Sequence, residues 1–370
     1  MSKLSVLDTG IKNAKNVTNY LYGFGAIEEL KDILHKKRCN SDGRVVFFVD
    51  SYFEVNGLPE KFDAIKKGDA VYYVNAANEP TTTQVNVMRD VVLSDGLVSP
   101  VAIVGVGGGS TMDVAKAIAN LLTNPGNAED YQGWDLVNNR AIYKVGIPTL
   151  SGTGAESTRT CVMINPSNGL KLGMNSDHSV YDQIILDPEL TRTVPRNQYF
   201  YTGIDAWVHC VESLTGSYRN AIGDAYSAQT VTICEEIFTS DDMMSDVNRA
   251  KLMVASYLGG CAIATSYVGI IHPLSAALSV VLGTHHCLAN CITIKAMEEF
   301  YPEAYKKFCS FVDKQQVDIP EGLCRDLTDE QYDRLYQSTI IHEKPLTNAF
   351  GDEFKKVLTK DKVLEIFRKM

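Results

Sequence analysis

A chain of 370 residues with 45% apolar and 22% charged side chains is long enough for two domains with their own cores, and its balance is neither that of a disordered chain nor that of a disulfide-stapled miniature. A formal charge of −10 argues against a nucleic-acid surface, which needs a basic stripe, and favours small-molecule chemistry. Nine cysteines without a CxxC pair, scattered through apolar runs as at Cys161, Cys210, Cys234 and Cys261, read as reduced core residues of a cytoplasmic protein.

The opening stretch, MSKLSVLDTGIKNAKN, has no apolar run followed by a small-residue cleavage site and does not read as a secretory signal. Four β-rich runs follow: RVVFFVD (Arg44 to Asp50), AVYYVNA (Ala70 to Ala76), PVAIVGVGGG (Pro100 to Gly109) and YKVGIPT (Tyr143 to Thr149). Nearly unbroken Val and Ile marks strands buried on both faces, and the helical stretches between them supply the crossovers of a parallel sheet. An α/β domain is expected. Asp50 ends the first run, where a carboxylate can accept hydrogen bonds from adenosine ribose hydroxyls and repel a 2′-phosphate, favouring NAD over NADP; a solvated strand-end turn is the alternative.

GVGGGSTMDVAKAIAN (Gly105 to Asn120) places Gly107, Gly108 and Gly109 between a buried strand and a helix whose N-cap is expected at Ser110 or Thr111. Glycines admit a ligand close to the backbone, and the free amides and dipole of a helix N-terminus favour pyrophosphate. The spacing is neither GxGxxG nor a P-loop, and a glycine-rich turn serving helix packing is the competing reading. PTLSGTGAES (Pro148 to Ser157) adds Thr149, Ser151, Thr153 and two glycines, whose hydroxyls and amides can bond ribose or phosphate.

After Asp187-Pro188-Glu189-Leu190 the period changes to 3.6 residues, and strand signals almost vanish. Helices are predicted over Asn197 to Leu214, Asn220 to Phe238, Asp246 to Ala264 and Ala289 to Phe308, which puts the domain boundary near residue 190. Leu258 to Gly283 is apolar enough to raise the question of a membrane span, but His272, Pro273 and several Ser, Thr and Tyr residues interrupt it; it reads as buried helices.

Asp205 and His209 stand four apart in DAWVHC, on one face of a helix. A salt link and a metal site are equally open on that spacing. GIIHPLSAALSVVLGTHHCLAN (Gly269 to Asn290) then adds His272 and, fourteen residues on, His286, in a chain with only seven histidines. Three imidazoles and a carboxylate in the helical segments of one domain make a donor set suited to Fe(II) or Zn(II).

GGGSTMDVAK, PTLSGTGAEST, the lysine of GLKLGM, LDPELT, GIDAWVHCVE and the His272/His286 spacing together resemble the iron-containing (group III) alcohol dehydrogenase family along nearly the whole chain. The resemblance implies a Rossmann-like parallel-sheet, NAD-binding domain over residues 1–190, a helical metal-binding domain over residues 191–370, and a cleft between them holding NAD(P) beside the metal. This is the fold shared with dehydroquinate synthase. It implies Asp205, His209, His272 and His286 as metal ligands, and cofactor contacts from Asp50, Gly107, Gly108, Gly109, Ser110, Asp113, Thr149, Ser151, Thr153 and Lys171. It also implies a homodimer in which an edge strand near Asn19 to Tyr22 pairs across the interface.

Two departures stand out. The family usually carries a histidine four residues after the third ligand, as a proton relay near the nicotinamide; this chain has Ala276. His285 stands before His286, where proline is common, and is a candidate for the relay or a plain helix-cap histidine. Arg159, in STRTCVMIN, replaces the neutral or amide group usual in the family: a guanidinium suits a carboxylated substrate, and a surface or interdomain salt bridge is the alternative. A narrower resemblance is to the branch that oxidises the C8 hydroxyl of the sugar acid 3-deoxy-manno-octulosonate (Kdo) in lipopolysaccharide sugar biosynthesis.

The chemistry so implied is deprotonation of a metal-held alcohol with hydride passing to the nicotinamide. A metal can lower the pKa of bound water from about 15.7 to about 7, a larger effect than the roughly 10²- to 10⁴-fold of a general base, so the missing relay histidine is tolerable. The same architecture also carries a lyase of the dehydroquinate synthase type and a dehydrogenase of glycerol phosphate, but no basic cluster suited to a phosphate substrate is evident.

Overall fold

The computed structural model describes residues 12–39, 43–58 and 62–370; residues 1–11, most of the stretch read for a leader, lie outside them. The chain divides into two compact units, Lys15–Thr193 and Val194–Met370, with residues 12–14 belonging to the second.

The first unit holds strands β1 (Asn19–Tyr22), β2 (Val45–Asp50), β3 (Ala70–Val74), β4 (Ala102–Gly107), β5 (Gly133–Trp134), β6 (Lys144–Pro148), β7 (Thr160–Asn165), β8 (Leu170–Asn175) and β9 (Gln183–Leu186). Its helices are α1 (Leu30–Arg38), α2 (Tyr52–Asn56), α3 (Thr82–Ser94) and α4 (Gly109–Leu121). Six strands form one sheet in the order β1-β9-β6-β4-β2-β3, all parallel. The run VVFFVD is apolar throughout because both its faces are covered. Val45, Phe47 and Val49 join Leu30 and Leu34 of α1 in one core, while Val46 and Phe48 join Val85 and Val92 of α3 and Val114 and Ile118 of α4 in the other.

Sheet order dictates where a ligand fits. From β2 the chain moves outward to β3, and from β4 it moves the opposite way to β6, so the neighbours β2 and β4 form the topological switch point, where open parallel sheets leave a crevice beyond their strand ends. Val49 pairs with Val106, which brings the ends of the two strands, Asp50 and Gly107, side by side.

A second sheet, β5-β8-β7, contains the antiparallel hairpin of β7 and β8. Its turn uses Gly169 at φ 66, a left-handed value at which glycine carries no Cβ penalty. This hairpin, the two-residue β5 and the four-residue β9 are additions to the four strands read from sequence and to the edge strand β1 that the family resemblance implied. β7 alternates buried and half-buried residues, so only every second residue carries the apolar signal.

The second unit is helical: α5 (Arg196–Thr215), α6 (Ala221–Thr239), α7 (Asp246–Ser266), α8 (Ile271–Leu282), α9 (His286–Ile294), α10 (Pro302–Gln315), α11 (Asp329–Ile340), α12 (Glu343–Phe350), α13 (Phe354–Val357) and α14 (Lys360–Phe367). Phe200, Trp207, Phe238, Phe308 and Phe311 fill its core. The single helix predicted over Ala289 to Phe308 is two helices. Pro302 opens α10 at its first turn, where its missing N–H costs nothing, whereas inside a continuous helix it would remove a bond and clash with the preceding turn. The apolar run around residues 258–283 is split between α7 and α8, which meet at 105°; no single helix among the described residues is long and apolar enough to cross a membrane. All nine cysteines are free thiols.

Candidate functional site

Asp205 and His209 are carried by α5, His272 by the first turn of α8, and His286 by the first residue of α9. Asp205 is fully buried and His209 is 3% exposed. Around the single oxygen Oδ1 of Asp205 stand three imidazole Nε2 atoms: His272 at 3.3 Å, His209 at 3.4 Å and His286 at 3.7 Å. The rings of His209 and His272 stack at 4.6 Å, and those of His272 and His286 lie 5.5 Å apart. These N···O separations are long for hydrogen bonds, which prefer 2.7–3.2 Å. They match the three edges that meet at one vertex of a tetrahedron: bonds of about 2.1 Å to a central ion place ligand atoms about 3.4 Å apart. The donor atoms of Asp205, His272 and His286 lie within 4.8 Å of one another. Asp205, His272 and His286 form a group able to hold Zn(II) or Fe(II), and His209 stands beside it at 3.4 Å from Asp205 Oδ1; a salt link of Asp205 and His209 alone does not account for three imidazoles on one oxygen.

For Asp205 and His209 the electrostatics point the same way. Burial alone would raise the Asp205 pKa, but His209, His286 and His272 outweigh it and hold the carboxyl well below the usual range, as an anion. Burial takes His209 down to about 3 against the pull of Asp205, which leaves it neutral with a lone pair to give. Burial would lower His272 as well, yet the Glu212 carboxylate overrides it and raises the group to about 9.

Two residues that the spacing arguments passed over complete the centre. Glu212 is fully buried; its Oε2 meets His272 Nδ1, and its Oε1 accepts the Ile271 N–H at 2.6 Å. Asn290 donates through Nδ2 to Asp205 Oδ1 at 2.6 Å. Both were legible in principle. Asp205, His209 and Glu212 stand at i, i+4 and i+7 on one helix face, and Asn290 follows His286 by four.

At the switch point of the sheet the glycine loop is built for contact. A Cβ on Gly107 would meet Thr111 at 2.7 Å, one on Gly108 would meet Leu150 Cδ1 at 2.7 Å, and one on Gly109 would meet Thr153 Oγ1 at 3.1 Å. The Thr149 N–H donates to the Gly107 carbonyl at 3.0 Å, fastening the threonine loop beside the glycine loop. The expected N-cap at Ser110 or Thr111 is corrected: α4 begins at Gly109, its N-cap is Gly108, and no side chain caps it. Amides at that end are therefore open to an anion. Ser151 is buried, and its hydroxyl has no hydrogen-bond partner among the described residues. An open amide row beside an orphaned hydroxyl fits a dinucleotide's phosphates and ribose.

Two other expected cofactor contacts already hold charged partners. Asp113 accepts the Val162 N–H at 2.8 Å and lies 3.1 Å from the buried Lys116 ammonium, tying α4 to β7. Lys171 lies 3.0 Å from Glu79. Asp50 sits at the end of β2 and accepts the Tyr52 N–H at 2.9 Å.

Arg159 holds charged partners, as in the salt-bridge alternative left open by the sequence. Its guanidinium is paired with Asp135 and, at 3.1 Å, with Asp177, both in its own unit. A substrate carboxylate would have to displace two resident ones, so the side chain serves as a salt-bridge hub. Ala276 is a buried residue of α8, and His285 is exposed at the N-cap of α9.

Residues 17–188 match the family model described as iron-containing alcohol dehydrogenase, and residues 199–318 match that of the Fe-containing alcohol dehydrogenase family, C-terminal. Sulfoacetaldehyde reductase of Bilophila wadsworthia is 32% identical over 281 residues, spanning 74% of this chain and 70% of that protein. NAD-dependent methanol dehydrogenase of Bacillus methanolicus is 28% identical over 284 residues, 74% of this chain and 71% of that one. The crystal structure of sulfoacetaldehyde reductase from Bifidobacterium kashiwanohense in complex with NAD+ shares the fold, with a TM-score of 0.77 at 21% identity over 97% of this chain and 98% of that one. Metal centre, parallel sheet and sequence similarity agree: the chain belongs to the iron-containing alcohol dehydrogenase family.

Proposed function

We propose that this protein interconverts a polar primary alcohol and its aldehyde by hydride transfer to or from NAD at a divalent metal held by Asp205, His209, His272 and His286. The observation that carries the reading is the approach of three Nε2 atoms to one Asp205 oxygen at 3.3, 3.4 and 3.7 Å. A bound Zn(II) or Fe(II) supplies Lewis acidity that makes a hydroxyl easier to deprotonate and a carbonyl easier to reduce. NAD supplies the hydride acceptor.

The chain's own residues supply the rest. Neutral His209 gives its lone pair, and Asp205 contributes the one negative charge of the ligand set, leaving a net positive centre. The amides opening α4 and the Gly107 to Gly109 backbone hold the pyrophosphate, with Ser151 and Thr153 beside them. Asp50 takes ribose hydroxyls and disfavours a 2′-phosphate. With Ala276 unable to carry a proton, His285, exposed beside His286, passes it to solvent.

Similarity to sulfoacetaldehyde reductase supports a short substrate bearing an acid group. The eight-carbon sugar acid Kdo, acting through its C8 hydroxyl, is a longer acid-bearing candidate that rests on the narrower resemblance alone, since Arg159 is paired with Asp135 and Asp177. Both curated relatives are redox enzymes by name, which favours a dehydrogenase over the lyase reading. β1 lies at the sheet edge with Tyr20 and Tyr22 exposed, which supports a homodimer formed along that strand.

The test is a screen on metal-defined protein with NAD or NADP, using neutral alcohols and aldehydes, short acid-bearing aldehydes and Kdo, followed at the nicotinamide absorbance band. NAD-linked turnover favouring acid-bearing substrates is expected. Fully metal-loaded protein that turns over no member of the panel would contradict the reading.

A further inference from the structure

We propose that Glu212 is a positioning residue that fixes the tautomer of His272, so that His272 turns a bare Nε2 lone pair toward the metal position; the proposal rests on the metal reading above. Glu212 is fully buried on α5 and spends each carboxylate oxygen on a different donor. Oε1 accepts the backbone N–H of Ile271 at 2.6 Å, and Oε2 accepts from Nδ1 of His272. A proton held on Nδ1 by that bond leaves Nε2, 3.3 Å from Asp205 Oδ1, as the end of the ring free to ligate. Outer carboxylates of this kind set ring orientation and raise ligand basicity.

The surroundings are shaped to keep Glu212 in place. A Cβ on Gly269 would lie 3.0 Å from Glu212 Oε1 and 2.7 Å from the Tyr301 hydroxyl, so the α7–α8 connection has a glycine where any side chain would push the carboxylate away. The Ile271 N–H is one of the orphan donors at the start of α8, where no side chain of the helix's own N-cap serves. Glu212 thus anchors the helix that carries His272 and orients the ring with the same group.

Only a carboxylate can do both. A glutamine amide has one oxygen. If it accepts from Ile271, the NH2 faces Nδ1, forces the proton onto Nε2 and blocks ligation. If the oxygen accepts from Nδ1, the NH2 confronts the Ile271 N–H and leaves two buried donors face to face.

The experiment compares wild type and Glu212→Gln by competitive Zn2+ titration against a chromophoric chelator, with circular dichroism and Tm to confirm folding. Zinc affinity 10- to 100-fold weaker in the variant is expected. Equal affinities would overturn the proposal while leaving the metal reading standing, whereas a wild type that binds no Zn2+ would sink both. Should the variant fail to fold, long-range 1H–15N spectra of zinc-loaded wild type decide: His272 protonated on Nδ1 and bound through Nε2 is expected, and ligation through Nδ1 would overturn it.

Discussion

At Arg159 the sequence leaves two readings open, because a guanidinium in a motif says nothing about what is waiting for it. Asp135 and Asp177 close on it from two sides, and those carboxylates are 64% and 40% exposed, so solvent screens both pairs. Arg159→Ala is expected to cost no more than about 1 kcal/mol of stability and to leave the ratio of kcat/KM for acid-bearing over neutral substrates unchanged. A selective loss toward the acids would return the residue to substrate binding. Asp50 is a different case, since it ends β2 beside Gly107 at the switch point. Asp50→Ala should narrow the preference for NAD over NADP, read as the ratio of their kcat/KM values; an unmoved ratio would separate Asp50 from the ribose. The two carboxylate partners of Arg159 stand 24 residues before and 18 after it, and nothing in local spacing forecasts such a meeting. Asp205 and His209 were legible because helix geometry alone brings i and i+4 together.

Helix α5 shows how an element serves both core and site. Its Gly203, two residues before Asp205, has no room for a side chain: a Cβ would lie 2.6 Å from Phe238 Cζ on α6 and 3.0 Å from Leu252 Cδ2 on α7. Close approach of α5, α6 and α7 there fixes the helix that carries Asp205, His209 and Glu212. Gly203→Ala is expected to destabilise the fold by about 1–3 kcal/mol through overpacking, lowering Tm by several degrees, and to weaken metal retention with it. An unchanged or raised Tm would show that the aromatic neighbours yield. Period and burial made the long helices α5, α6 and α7 legible, and unbroken Val runs did the same for β2 and β4. What stayed hidden was set by punctuation or by brevity: Pro302 splitting α9 from α10, the four-residue β9, and a hairpin whose half-exposed residues carry no run.

Over the whole molecule, the buried thiols and phenols set the alkaline limit of stability. Burial pushes Cys161 and Cys210 up to about 12 and Cys324 up to about 11 from 9.0, and burial pushes Tyr143 up to about 12 from 10.0. Groups raised on folding stabilise fully below their unfolded values and lose that contribution as pH climbs through the folded ones. Lys144 acts oppositely, lowered by burial to about 8 from 10.5 against the pull of Asp182, so it adds stability as pH rises through that window. One lysine does not offset several thiols and a phenol. The urea midpoint in reductant should fall between pH 8 and pH 10.5, and a rise would contradict the balance. The central claim is the four-donor metal centre, and metal content tests it most directly. Wild-type protein reconstituted with Zn2+ or Fe2+ and desalted should carry one ion per chain, while His272→Ala and His286→Ala should carry almost none; an empty wild type, or full occupancy in either variant, would contradict the account.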